Sequence, residues 1–381
     1  MAADATVTQH GTHALNSPDL SALLSDALAA TRAPGAVVAV VAVASPGSTP
    51  LVSAVGVADV STGAPLHADS VFAGCSTAKT VTSIMVLRLA QEGLVDLDAD
   101  IREWGIDLPR TPRSGTDTVT LRLLLSHRAG IRDPDGSFAP LGDAEPPTID
   151  NLLAGRSVAH PGPVTVCDRP GERFAYSDAG YAVVEAIVER ETGLDIAVAV
   201  DQWVAEPLGL RSLALWDGAR RPETPARTSK VLGVVRGAAV ESHGTDGLPL
   251  AGGRAHYPGR AGSCLWTTAG ELAQLMADLA PALQGNRGST LLSPASGRAM
   301  TDGGEAGIGL GVFLRGENAS HGILTQGWGV GAQCQARVYP GGAVVVMVNG
   351  DPGVAQHESG VGLLARRVAA AAGWADPIAA G

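Results

Sequence analysis

Lysine is nearly absent from this chain: of 27 basic residues only Lys79 and Lys230 are lysines, and arginine supplies the rest. Basic runs are missing too, and 38 acidic residues leave a net charge of −11, which argues against nucleic acid or an anionic membrane as a partner and suits a small neutral or cationic ligand. Cysteine is scarce. Cys75, Cys167, Cys264 and Cys334 lie far apart with no Cys-x-x-Cys pair, so neither a zinc knuckle nor a disulfide framework is signalled, and reduced thiols are expected. No apolar run approaches the roughly 18 residues of a membrane-crossing helix. Residues 1–16 have neither the basic start nor the apolar centre of a secretory signal, and a cytoplasmic location is the expectation. The lone His-x-x-His, His10 with His13, has no carboxylate beside it, so no metal is expected.

What is present is a globular composition: 381 residues, 45% hydrophobic and 17% charged, enough for two domains or one large core. Ser17 and Pro18 read as the cap of a helix whose Leu20, Leu23, Leu24, Ala27 and Leu28 follow the helical period. Gly35 to Ala44 is a β-branched run, a Ser-Pro-Gly-Ser-Thr-Pro turn follows, and Leu51 to Ala58 returns as the second strand of a hairpin. From Thr77 to about Met300 the pattern is mainly helical with long loops. Strands resume near the end, where Gln333 to Tyr339 alternates polar and apolar residues, Pro340-Gly341-Gly342 turns, and Ala343 to Asn349 runs back; Gly360 to Ala372 closes as a helix. Strands at both ends with helices between them predict a single sheet built from both termini, in a discontinuous α/β domain of residues 17–75 and 302–381, with a mainly helical domain of residues 76–301 inserted.

Chemistry concentrates between Val71 and Gly93, where a short apolar approach gives way to the helical pattern Ile84, Met85, Leu87, Leu89 and Gly93 ends the helix as a left-handed cap. Ser76 falls at the helix start, and residues three apart share a helical face, so Ser76 and Lys79 can touch as hydroxyl and amine, a nucleophile beside a base. The helix N-terminus lowers an amine's pKa and donates an amide to a developing oxyanion. Where arginine serves almost every surface charge, a lysine in an apolar helix points to a need for an amine that can lose its proton. Two rival motifs fit worse. A phosphate loop needs glycine where Ala73 and Ala78 stand, and a nucleophile elbow at Gly74 to Ala78 has too few strands before it.

Together with FAGCSTAK at 72–79, the segments EGLVDLDADI, LRLLLSHRAGI at 121–131, RPGERFAYSDAGYAVVEAIVERETG at 169–193, EPLGL, AGSCLWTTAGELAQLM and the final hairpin resemble, in order, the serine β-lactamase and penicillin-binding-protein-like superfamily, in its class C β-lactamase, D-alanyl-D-alanine carboxypeptidase and esterase branch. The resemblance spans about Ala36 to Asn349. It implies a five-stranded antiparallel sheet flanked by terminal helices, with the active site between sheet and helical region and no cofactor. It implies Ser76 as nucleophile, Lys79 as base and Tyr176 as the relay that hands the proton to the leaving group. A phenol beside an ammonium is pulled toward its working range, so the two can share one proton. The third motif of the family falls on Thr325-Gln326-Gly327, and the oxyanion amides on Ser76 and Trp328. His127 and His321 are candidate triad bases by chemistry, but the resemblance gives the SHRAG segment a structural place. Cys75 and Cys334 read as small buried residues.

Two departures matter. Asp178 stands where the family usually has Asn, and Thr325-Gln326 where it has Lys or His with a small residue. Both make the cleft less positive, and a charge pair at about 4 Å is worth about 4 kcal/mol at intermediate dielectric, so a substrate carboxylate loses its receptor. An esterase, amidase or transacylase acting on a small-molecule or peptide acyl substrate, neutral or amine-bearing, is therefore expected ahead of a β-lactamase or D,D-peptidase. Natural-product acyl transfer, peptide cyclisation and a catalytically silent binding protein on the same fold are the alternatives. Asp178 itself has two readings: it lies on the cleft wall near Lys79, or it caps the helix that starts before Tyr181.

Overall fold

The computed structural model describes residues 15–43, 48–219, 224–302, 307–316, 322–354 and 358–374; His10, His13 and His321 lie outside them. Helix α1 (Ser17–Thr31) leads into β1 (Gly35–Ala42), β2 (Leu51–Asp59), β3 (Ala64–Pro65) and β4 (Val71–Cys75), and α2 (Ala78–Gln91) follows. The middle of the chain carries α3 (Leu121–Leu125), α4 (Ile149–Leu153), β5 (Arg156–Ser157), β6 (His160–Pro161), α5 (Asp178–Thr192) and α6 (Ile196–Val200). It continues with β7 (Ala214–Leu215), α7 (Ala226–Ala238), α8 (Arg260–Ser263), β8 (Leu265–Thr268), α9 (Ala269–Leu283) and α10 (Pro294–Thr301). The last strands are β9 (Phe313–Leu314), β10 (Ile323–Gly329), β11 (Ala332–Tyr339) and β12 (Gly342–Val348), before α11 (Gly360–Ala371).

The principal sheet is antiparallel and runs β3-β2-β1-β12-β11-β10-β9. Its five long strands are the expected five from the two termini, and a two-residue strand extends each edge, too short to leave a pattern in sequence. Both faces of the sheet are covered, α1 and α11 on one and α9 on the other. Val38, Val40, Val344 and Val346 pack with Leu20, Leu24 and Leu364, while Val37, Val41, Val345 and Met347 pack with Leu272 and Met276. This is why β1 and β12 are apolar throughout instead of alternating. Full burial of Leu20, Leu24 and Leu364 contributes about 1.5–3 kcal/mol each, which fastens both terminal helices to the sheet.

Three local readings change. The cap of α1 is Asn16, whose extended backbone lets its side chain accept from Asp19 N–H at 3.0 Å, so Ser17 is the first helical residue. The alternation in β11 does not mark a wet face: every residue of the strand is buried, and Arg337 donates to Gln335 Oε1 at 2.8 Å beneath α11. Finally, β4 leaves the principal sheet and pairs with β8, which pairs with β7, in a second three-stranded sheet. That small sheet carries the chain to Ser76.

Candidate active site

Every residue of β4 is buried, and the strand ends abruptly at Cys75, which holds φ 46°, a left-handed conformation costly for a non-glycine residue. Ser76 and Thr77 turn the corner, with Thr77 N–H donating to Gly74 O at 3.0 Å and Lys79 N–H to Ser76 O at 3.0 Å, and α2 begins at Ala78. Gly93, at φ 72°, and the bond from Leu94 N–H to Leu89 O at 3.0 Å close the far end of the helix as expected. From Ala78 to Leu87 the helix is wholly buried, so Lys79 is carried into the interior with its ammonium.

All three protons of that ammonium have acceptors: Asp178 Oδ1 at 2.5 Å, Gly262 O at 2.8 Å and Ser76 Oγ at 3.4 Å. The Tyr176 ring centroid lies 4.8 Å away and that of Tyr181 5.5 Å. Burial pushes the Lys79 ammonium down, but Asp178 and then Tyr176 outweigh it and hold it above its ordinary value. Asp178 is not the cap of α5. Ser177 caps it, accepting from Gly180 N–H at 2.9 Å, and Asp178 at the first helical position turns to Lys79 and to Ser263 Oγ at 3.2 Å. Asp133, which the sequence did not single out, braces this helix start, receiving Ser177 Oγ at 2.7 Å, Asp178 N–H at 2.5 Å and Ala179 N–H at 3.1 Å. Burial raises its carboxyl, against the Ser177 hydrogen bond.

Tyr176, 43% exposed, stands at the mouth with its ring stacked on His127, centroids 4.4 Å apart and planes 28° from parallel. Ser76, Lys79, His127, Tyr176 and Thr325 share a narrow cleft whose remaining wall includes Ile308, Val312 and Phe313. A larger hollow lies by Val41, Leu208 and Asp278 and contains none of these groups. Thr80 Oγ1 hydrogen-bonds Thr325 Oγ1 at 2.7 Å and the Gly311 carbonyl at 2.6 Å, so the Thr325 hydroxyl is tied to α2. Gln326 touches the cleft but its Oε1 accepts from Gln335 at 3.4 Å. Among the residues lining the cleft, Lys79 is the one cation.

Gly327 brings β10 and the Ser76 turn together. A Cβ there would stand 1.9 Å from Gly74 O, so only glycine lets β10 lie against the end of β4. Arg315 N–H donates to Gly322 O at 3.0 Å, and β9 pairs β10 only at Ile323 and Leu324. By the two-residue alternation of a strand, Gln326 and Trp328 then turn their N–H groups to the open edge, beside the turn that carries Ser76 N–H. The carbonyl that anchors Lys79 belongs to α8, which a buried Arg260 holds through Glu185 at 3.0 Å, Glu189 at 2.7 Å and Asp195 at 2.6 Å. Among the described residues no cluster of three or more His, Cys, Asp or Glu side chains is placed to hold a metal ion, and no helix is long and apolar enough to cross a membrane.

The family described as Beta-lactamase matches residues 20–368. Esterase EstB of Burkholderia gladioli is 32% identical over 198 residues, 50% of this chain and 50% of that protein. Penicillin-binding protein 4 of Amycolatopsis lactamdurans is 32% identical over 167 residues, 44% of this chain and 42% of its own. The chain thus spans about half the length of the curated relatives it matches. Among solved structures, D-amino acid amidase from Ochrobactrum anthropi SV3, complexed with L-phenylalanine, superposes with a TM-score of 0.71 at 21% identity, covering 92% of this chain and 96% of that one, which is a likeness of fold.

Proposed function

We propose, from the premise that the chain belongs to the beta-lactamase family, that it is a serine acyl-enzyme hydrolase of the esterase and amidase type, acting on small or peptidyl acyl substrates without a required anionic group. The observation that carries this reading is Ser76 Oγ 3.4 Å from Lys79 Nζ, in a cleft shared with Tyr176. Ser76 Oγ attacks the substrate carbonyl carbon, and its proton passes to Lys79 in the fraction of molecules where that amine is free. The N–H groups of Ser76 and Trp328 receive the oxyanion, and Tyr176 hands the proton to the departing alcohol or amine. Water, or an acceptor alcohol or amine, then takes the acyl group from Ser76. An esterase and an amidase among the similar proteins support this chemistry. A β-lactam or stem-peptide carboxylate is disfavoured because Lys79, the one lining cation, is already paired with Asp178.

Intact-mass spectrometry after incubation with aryl esters, D- and L-amino-acid amides, a thioester and a β-lactam tests it. The expected result is one acyl mass on Ser76 with an ester or amide, none with Ser76→Ala, and little or none with the β-lactam. No adduct from any donor sinks the reading.

A further inference from the structure

His127 is held in a way that a purely structural histidine does not require. Its backbone is left-handed, φ 56°, and its carbonyl accepts from Ala175 N–H at 2.8 Å, so the segment that leads into Tyr176 is bonded to it directly. Its Nδ1 accepts from the Ser177 N–H at 3.1 Å. A nitrogen that accepts carries no proton, so the neutral ring bears its hydrogen on Nε2. Burial, and then Lys79, push the imidazole down to about 3, which keeps it neutral across the working range of an enzyme. It is therefore no general base at neutral pH. Nε2 has no partner among the described residues and is not sealed in the interior, while the ring itself lines the cleft beside Ser76 and Lys79. The donor therefore opens on the cleft, where a cleft-bound acceptor completes its bond.

We propose that His127 donates this Nε2–H to the substrate's leaving group, and that preferred leaving groups carry an oxygen acceptor close to the departing atom. The side of the cleft follows from the stack. The ring lies 4.4 Å from that of Tyr176, and Tyr176 is the group assigned to the leaving atom, so the inference rests on the Ser76 acyl-enzyme reading. Phe174 and Tyr181, with centroids at 5.8 Å and 5.3 Å, pack the ring edge and the remaining side, which fixes the direction of the donor.

The test compares kcat/KM for 2-methoxyethyl butyrate and n-butyl butyrate, equal in length and differing by one ether oxygen in place of a methylene. Dividing their ratio by the same ratio for hydroxide hydrolysis removes intrinsic reactivity. In the wild type the quotient should exceed unity by about three- to tenfold, the range of one neutral hydrogen bond. In His127→Asn, where Asn tolerates the left-handed backbone and offers Ser177 an acceptor, it should fall to near unity. A wild-type quotient of one overturns the proposal even if the variant does not fold, and so does an unchanged quotient in a folded variant. Fluorophosphonate labelling of Ser76 separates the two readings: labelling with a flat quotient discards the role of His127 alone, and no labelling discards both.

Discussion

Replacing Asp178 by Asn removes the charge that holds Lys79 protonated while keeping the side chain's size. Asp178 Oδ1 lies 2.5 Å from Lys79 Nζ, with the lysine side chain 4% exposed and the aspartate 23%. A unit pair at 4 Å is worth about 4 kcal/mol at an effective dielectric of 20. Partial exposure of the aspartate trims this, so the loss corresponds to about 1 to 3 units in the lysine pKa. The sign follows from the causes: Asp178 raises the ammonium and burial lowers it, so without the carboxylate burial acts against Tyr176 alone and the amine is freed at lower pH. The acidic limb of kcat/KM for a neutral aryl ester should therefore move down by about 1 to 3 units in Asp178→Asn. At a fixed pH below both limbs, each unit is a tenfold rise in the fraction of free amine. The helix itself is spared, because Ser177 provides the cap. Stability moves the other way. A raised lysine pKa stabilises the fold below the unfolded value of about 10.4 and ceases to as pH rises through the folded value, so the variant should melt lower at pH 7. Rates at fixed pH between 5 and 10, below the raised wild-type limb, decide the matter, and a variant no faster than wild type there would refute the coupling of Asp178 to Lys79.

Lys79→Arg should cut turnover by at least about a hundredfold, the lower range for a lost general base, because guanidinium keeps the charge but does not give up its proton; full activity would remove Lys79 from that role. Gly327→Ala must push β10 away from Gly74 O, 1.9 Å from the new methyl, and displace the Trp328 amide. A loss of about a hundred- to thousandfold in kcat is expected, as for a missing oxyanion donor, with circular dichroism showing an intact fold. Glu189 is raised to about 7 by burial and then by Glu185, against its pairing with Arg260, so the stability linked to its proton is full below the ordinary value of 4.5 and is lost as pH rises through about 7. Glu189→Gln should match wild type in urea unfolding at pH 4 and exceed it at pH 8 by up to about 3 kcal/mol; equal stability at both pH values would contradict the assignment.

The parts of the fold that follow from local pattern were legible. The apolar runs of β1 and β12, the hairpin of β11 with β12 and the glycine that ends α2 each carry their signal in a few consecutive residues. So does Ser76 with Lys79, because one helical turn spans both. Ser177 and Asp178 are both good caps, and a one-residue ambiguity of that kind is decided by what lies opposite, here Lys79 against Asp133. Asp133, Gly262 and Arg260 left no trace because their partners lie far along the chain, the bond from Lys79 to Gly262 joining residues 183 apart. His127 was readable as a residue but not as a tautomer, since the Ser177 N–H that sets it arrives from a different segment. The pairing of β4 with β8 was hidden for the same reason.

The central sheet sets an order of events during synthesis. In it Ala36 pairs with Val348, so β1 emerges from the ribosome early and must wait for nearly the whole chain before its inner neighbour exists. Until then GAVVAVVA is an uncharged strand paired on one side only, with β2, and its other edge is the kind that recruits other chains. Contacts this distant in sequence form slowly, and intermediates of larger chains expose the surfaces that aggregate. The candidate site inherits the delay, because Trp328 and Gly327 belong to β10 and reach Ser76 only once the last strands are made. A nascent chain therefore carries Ser76 before the β10 wall of its cleft exists.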